Sequence, residues 1–187
     1  MLFGEPLGRR AVFVDTCGSF NASRLASMME AHVTHPGGDE AMEGYTEHLL
    51  HDALSRLTVV ALHDLSALAS WLADFDERHT ARPPPAVLFL DSITAVAACV
   101  IGGTDAASAH ALLGEVGRLL CRIARMHNIA VVVTNGTVSD WSSGDGCIMP
   151  ALGSTWMPVP TVRAWISAAG SACSLLKSAH TLAKGVQ

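Results

Sequence analysis

With 187 residues, half of them hydrophobic and only 16% charged, the chain can bury one sizeable core, and this balance excludes a disordered polymer. A formal net charge of −5 supplies no global pull toward nucleic acid, so any DNA contact must be local or made through a partner. The longest apolar runs, AVLFL and IAVVV, fall far short of the roughly 20 residues that cross a bilayer. MLFGEPLGRR lacks the basic-then-apolar order of a secretory leader. Cysteines at 17, 99, 121, 147 and 173 are odd in number and widely spaced, with no C-x-x-C pair. They imply neither zinc nor a disulfide framework. The expectation is a soluble chain with reduced thiols inside the cell, and no membrane partner.

In chain order, AVFVD (11–15) is a continuous apolar run of the kind buried on both faces of a parallel sheet. Asn21 is placed to cap the next helix, and Leu25, Met28, Met29 and His32 follow at helical spacing. HPGGDEAMEGY (35–45) is loop by its Pro-Gly-Gly content, and 46–55 is a short helix. LTVVAL (57–62) is a second strand. Asp64 caps a helix whose buried face is Leu65, Leu68, Ala69, Leu72 and Phe75. ARPPPA (81–86) leads into a third strand, VLFLD (87–91). The longest helix, about 105–127, follows Gly102-Gly103 and carries an apolar stripe of Ala109, Leu112, Leu113, Val116, Leu119, Leu120 and Ile123. Arg118, Arg122 and Arg125 lie on another face, where solvation explains them more simply than a DNA track. IAVVVT (129–134) is a fourth strand, followed by a long loop over about 135–160. TVRAWISA and ACSLLKSA pair as an antiparallel hairpin across Gly170-Ser171. Strands alternating with helices give an α/β fold with a mostly parallel sheet, in a single domain over 1–187.

Ligands of open parallel sheets sit beyond the carboxyl ends of the strands. Three strands deliver polar pairs there: Asp15-Thr16, Asp91-Ser92 and Thr134-Asn135. Strand-end acids also cap their own turns, so each alone says little. VLFLDS has the form of a Walker B strand, four apolar residues and then an acid that holds Mg²⁺ through water. His32-x-x-His35 and His48-x-x-His51 have helix-compatible metal spacing but lack a third ligand. No G-x-S-x-G elbow points to a hydrolase.

Taken in order, VDTCGSFNASRL, LFLDSITAV with a Gly-Gly pair beyond it, AVVVTN, and PALGSTW with VPTVRAWI resemble the ATPase core of the RecA-type recombinases of eukaryotes. The nearest resemblance is to the non-filament recombinase paralogues of DNA repair, and among them to the D-type paralogue. It runs from about residue 11 to 185 and rests most on ASRL, DSITAV, VVVTN and PALGSTW. It implies a RecA-like P-loop NTPase core with a C-terminal antiparallel β extension. Carried over residue by residue, Asp91 matches the Walker B acid, the Mg²⁺ ligand through water, with Ser92 and Thr94 as its following polar residues. Asn135 matches the polar tip of the fourth strand near the γ-phosphate sensor, and Asp15 and Thr16 lie on the same nucleotide edge. Residues 97–107 correspond to the first DNA-facing loop and 136–155 to the second.

Two positions depart from the filament-forming members. Cys17 falls where they place a glutamate that orients the attacking water, and a neutral thiol with pKa about 8.5 does that poorly. As a thiol near a helix N-terminus it is alternatively a nucleophile. Gly136 falls where they commonly carry a glutamine that couples nucleotide state to DNA binding. No residue is therefore assigned a catalytic role. A third departure is larger. G-x-x-x-x-G-K-[ST], whose amides and lysine cradle phosphates, has no counterpart; GEPLGRR has the wrong spacing and no Lys-Ser or Lys-Thr. The ten residues before Ala11 are too few for a phosphate-loop strand and its helix. The expectation is an N-terminally incomplete core: either a shortened product or one whose ATP site is lost.

The resemblance implies ATP and Mg²⁺ as cofactors of the intact family, with neither bound tightly by this chain. It implies a nuclear DNA-repair protein of homologous recombination and double-strand-break repair, here a scaffold subunit among other recombinase paralogues. Single-stranded or branched DNA would be met mainly through that complex, since neither DNA-facing loop holds Lys or Arg. Trp141 or Trp156 is free to stack on bases or to pack, and Arg163 to serve structure or a nucleotide or DNA edge. The alternatives are a DNA-stimulated ATPase whose phosphate loop lies outside these residues, and a small-molecule α/β enzyme using the same sheet edge.

Overall fold

The computed structural model describes residues 9–33, 41–103, 105–140, 147–166 and 173–178. Strand β1 (Ala11–Asp15) leads to helices α1 (Ala22–Val33) and α2 (Ala41–Ser55), then strand β2 (Leu57–Ala61), helix α3 (Leu65–Arg78) and strand β3 (Val87–Asp91). Helices α4 (Ile93–Ile101) and α5 (Ala106–Met126) precede strand β4 (Ala130–Val133). A hairpin of β5 (Thr137–Asp140) and β6 (Cys147–Pro150), a short helix α6 (Gly153–Trp156), and a hairpin of β7 (Val162–Ile166) and β8 (Cys173–Ser178) complete the order. The first four strands form one parallel sheet in the order β2-β1-β3-β4, and the two hairpins are antiparallel. The α/β architecture read from the sequence holds, down to the C-terminal β7–β8 pair.

Register explains why the core lies on one face. Val14 pairs with Val60 and Leu90, and Leu90 with Val133; Val12 pairs with Leu88, and Leu88 with Val131. Side chains alternate along a strand, so these residues share the face on which α3, α4 and α5 pack. There Leu65, Leu68, Leu72, Phe75, Ile93, Val96, Leu113, Val116 and Ile123 are buried with Val12, Val14, Leu88 and Leu90. The helices form where the sequence places them. Asp64 accepts from the Ser66 and Ala67 amides at 2.8 Å and opens α3, and its buried face is the one read from spacing. The α5 stripe is likewise buried at Ala109, Leu113, Val116, Leu120 and Ile123. On the opposite face of the sheet the row Val59, Phe13, Phe89, Val132 is less covered. Phe20 stacks on Phe13 with centroids 5.2 Å apart, yet Val59 and Val132 stay 41% and 46% exposed.

Four expectations change. Residues 97–101, read as the start of a DNA-facing loop, are the second half of α4; Ser92 caps it through the Ala95 amide, and Ile93, Val96 and Ala97 are buried. Helix α2 begins at Ala41, not 46. The stretch 135–160 contains β5, β6 and α6. Asn21 does cap α1, accepting from Arg24 at 2.9 Å, but Met28 on its apolar stripe is 58% exposed, because α1 packs mainly on α2.

Trp156 settles the packing of α6: it is 2% exposed and lies over Gly117 of α5, beside Val159. A Cβ at Gly117 would stand 2.8 Å from Val159 Cγ2 and 3.6 Å from Trp156 Cζ3. Gly117→Ala is expected to cost about 1–3 kcal/mol by overpacking, partly offset by its better helix propensity. Trp156 fluorescence during urea unfolding checks this, and an unchanged midpoint would refute close packing at this contact.

Between α3 and α5 lies a second polar cluster. Asp76 is 7% exposed; its Oδ1 accepts from His127 Nε2 at 2.8 Å, and its Oδ2 pairs with Arg122 Nε at 2.7 Å. Arg122 stays on the solvated face to which spacing assigned it, its side chain 62% exposed, and reaches Asp76 from there. Arg118 pairs with Glu115 one turn away.

Candidate functional site at the strand ends

The carboxyl ends of β1, β3 and β4 converge because the strands are parallel and in register, Asp15 beside Asp91 and Leu90 beside Val133. The next residue after Val133 is Thr134, which therefore comes alongside Asp91. Its Oγ1 donates to Asp91 Oδ1 at 2.6 Å. Thr134 also closes the turn into α4, accepting the Ile93 amide at its carbonyl.

Asp15 turns inward onto its own loop. Its carboxylate accepts four consecutive amides: Cys17 at 3.0 Å, Gly18 at 2.8 Å and Ser19 at 3.2 Å on Oδ1, and Phe20 at 2.9 Å on Oδ2. Gly18 takes φ +70°, the left-handed conformation that lets successive amides point to one centre. Burial pushes the Asp15 carboxyl up, but the bonds from Phe20, Ser19, Cys17 and Gly18 outweigh it and hold the acid below its usual range.

Thr16 bridges β1 to β3. Its Oγ1 donates to the Ser92 carbonyl and accepts the Ser92 amide, both at 2.7 Å; the Asp91–Ser92 peptide between is cis. Cys17 is exposed, with Sγ 3.7 Å from Ser92 Oγ and 3.8 Å from Thr16 Oγ1. Asn135 is held at both ends: Oδ1 accepts Thr94 Oγ1 at 2.7 Å, and Nδ2 donates to the Ala151 carbonyl at 3.3 Å. The same Thr94 oxygen accepts the Gly136 amide at 2.7 Å. Thr16→Val removes both Ser92 bonds at nearly constant volume and is expected to cost about 1–3 kcal/mol. Thermal melts check this, and a loss below the scatter of repeat melts would place the strand-end tie elsewhere.

The structure thus gathers Asp15, Thr16, Cys17, Asp91, Ser92 and Asn135 at one edge, and adds Thr94 and Thr134 as the residues that fix them. Arg163 is held elsewhere, its Nη1 on Met157 Sδ at 3.0 Å and its Nη2 on the Trp156 carbonyl at 3.5 Å. Trp141 and His35 lie outside the described residues, as does the side chain of His32. Among the described residues no three metal-ligating side chains cluster, and no helix is long and apolar enough to cross a membrane.

ATP and Mg²⁺, the cofactors the resemblance implies, test poorly against this donor set. The convergent amides after β1 have the form of an anion nest, but the anion they bind is Asp15 itself. Asp91 offers one carboxylate, with one oxygen already engaged. Mg²⁺ in nucleotide sites takes one or two carboxylates and relies on phosphate oxygens for the rest. Among the described residues nothing cradles those phosphates.

No family model matches the sequence. Curated relatives do. The chain is 30% identical over 181 residues to mouse (Mus musculus) DNA repair protein RAD51 homolog 4, covering 94% of this chain and 51% of that protein. It is 29% identical over 174 residues to the Bos taurus protein of the same name, covering 90% of this chain and 49% of the relative. It is 26% identical over 174 residues to DNA repair protein RAD51 homolog 3 of Cricetulus griseus, with 86% and 45% covered. The chain spans about half the length of the curated relatives it matches. Similarity along almost all of this chain to two kinds of RAD51 homologue, on a parallel sheet with its polar groups at the strand ends, gives the fold as a RecA-like core.

Proposed function

We propose that this chain is a scaffold subunit of a nuclear recombinase-paralogue complex in homologous recombination and double-strand-break repair, and that within the family it is a D-type core. The observation that carries the reading is the 30% identity over 94% of the chain to RAD51 homolog 4 of mouse. Its partners are other recombinase paralogues, and single-stranded or branched DNA is reached through them. The site chemistry favours a structural over a hydrolytic role: Asp15 fills its own nest, Asn135 is committed to Thr94 and Ala151, and Cys17 offers a thiol in place of a water-orienting carboxylate. Arg163 and Lys177 bond to main-chain and sulfur atoms of residues 156–158, leaving little cationic surface there for phosphates.

The test is co-expression with each RAD51-family paralogue, followed by reciprocal purification through a tag on either protein. A stoichiometric complex with at least one is expected, and failure with all of them sinks the scaffold reading. A second reading, a DNA-stimulated ATPase completed by a phosphate loop from outside these residues, is favoured by Asp91, which keeps an acid beside Thr134 at the sheet edge. Titration of a fluorescent ATP analogue into a longer product that carries a phosphate loop ahead of residue 11 separates the two: saturable, Mg²⁺-dependent micromolar binding that Asp91→Asn abolishes supports the second, and no binding overturns it.

A further inference from the structure

Of the three asparagines in the chain, only Asn135 is followed by a residue without a side chain: Gly136 succeeds it, whereas Ala22 follows Asn21 and Ile129 follows Asn128. That pairing has a chemistry of its own. The backbone nitrogen after an asparagine attacks the side-chain amide carbon most readily where no Cβ obstructs it and the backbone turns freely, as at glycine. In the fold, every group this reaction needs is already engaged. The nucleophile, the Gly136 nitrogen, donates its hydrogen to Thr94 Oγ1 at 2.7 Å. The carbonyl under attack accepts from the same Thr94 oxygen, through Asn135 Oδ1, at 2.7 Å. The leaving group, Nδ2, donates to the Ala151 carbonyl at 3.3 Å. The Gly136 carbonyl accepts the Ala151 amide at 2.9 Å, which fixes the residue from its other end. Both Asn135 and Gly136 are half-buried, so they are not sealed from water.

We propose that Asn135-Gly136 is a self-modification site whose reaction Thr94 holds off in the folded chain. In the step, the Gly136 nitrogen forms a bond to Asn135 Cγ as the Cγ–Nδ2 bond breaks. The proton of the Gly136 amide leaves with Nδ2 as ammonia, and a succinimide remains. Water then adds to either ring carbonyl and opens the ring, giving aspartate or isoaspartate at position 135. No oxidant, reductant or other reactant is consumed. Thr94 opposes the step in two ways. Its oxygen binds the hydrogen that the nitrogen must lose, and a neutral hydroxyl is too weak a base to take it. Its paired bonds also resist the backbone rotation that brings nitrogen and carbon together. The product changes the strand end. A carboxylate has acceptors only, so the bond to the Ala151 carbonyl is lost, and a negative charge joins an edge that already holds Asp15 and Asp91. Because ammonia departs, the site keeps a permanent mark of each opening of the Thr94 contact.

Peptide mapping by mass spectrometry of the whole chain, incubated at neutral pH, follows conversion at Asn135 with Asn21 and Asn128 as internal references. In denaturing urea Asn135 is expected to convert well ahead of both, and Gly136→Ala in the same urea to abolish that lead. In the folded natural chain the lead disappears. Thr94→Val keeps the side-chain shape and removes the hydroxyl, and is expected to speed conversion of Asn135 in the folded chain by about tenfold. Thr16→Val, which weakens the strand ends but leaves Thr94 in place, does not speed it. A folded natural chain that converts at Asn135 as fast as in urea overturns the proposal, as does a chain in urea with no lead at Asn135. So does a Thr94→Val chain that converts no faster than the natural one; a slower one would make Thr94 a proton relay. Equal acceleration by Thr16→Val assigns the protection to global stability and overturns the role of Thr94.

Discussion

Asp76→Ala is expected to destabilise the fold by about 1–3 kcal/mol, read as a lower urea midpoint with an unchanged slope. The reason is asymmetry. Asp76 and His127 are both buried, their side chains only 10% and 7% exposed, while Arg122 is 62% exposed. Removing the carboxylate lets Arg122 swing into water at little cost, but strands the His127 N–H inside the α3–α5 interface. The double change Asp76→Leu with His127→Leu tests this account, because replacing both members with apolar groups removes the orphan along with the pair. It is expected to recover most of the loss. A double variant as unstable as Asp76→Ala would mean that packing volume, and not polarity, governs this junction.

Asp15→Ala is expected to cost on the order of 3 kcal/mol, since four amides lose one charged acceptor together. Asp15→Asn keeps one carbonyl oxygen and recovers part of the loss. The carboxyl is held below its usual value in the folded chain, so the stability it contributes is fully present above the unfolded value of about 3.9 and is lost as pH falls through the lower folded value. Denaturant midpoints measured from pH 6 down to about pH 3 should show that loss in the natural chain and a flatter profile in Asp15→Asn. Equal slopes would show that Asp15 carries no coupling between this loop and acid.

Most of the architecture was legible because it rests on local chemistry. Asp64 followed by Leu65, Leu68, Ala69, Leu72 and Phe75 carries both the start of a helix and its buried face, and the α5 stripe does the same. Helix α4 was hidden because ITAVAACVI is apolar nearly all round, and such a segment has no periodic face to announce it. Met28 shows the converse: periodicity selects a helix without saying what covers it, and α1 packs mainly on α2. At the site, the three polar strand ends were readable one at a time, but their partnerships were not. Thr134 reaches Asp91 through strand register, which no local spacing encodes. Asp76 and His127 are 51 positions apart and meet only because α3 and α5 pack side by side. A strand-end acid reads identically in sequence whether it faces a ligand or its own loop, and only the loop geometry, with Gly18 left-handed, shows where the Asp15 carboxylate points.

Thr94 also bears on how reversible this strand end is. Any Cβ at position 136 would lie 3.2 Å from Thr94 Cγ2 and 3.4 Å from its Oγ1, the same oxygen that already serves Asn135 and the Gly136 amide. Any larger residue there requires Thr94 to give by a few tenths of an ångström. Trimming Thr94 first gives up the ties to Asn135 and Gly136 before any gain arrives. A side chain at position 136 and the hydrogen bonds of Thr94 to Asn135 and the Gly136 amide thus compete for the same space, so changes at the two positions act together and not independently.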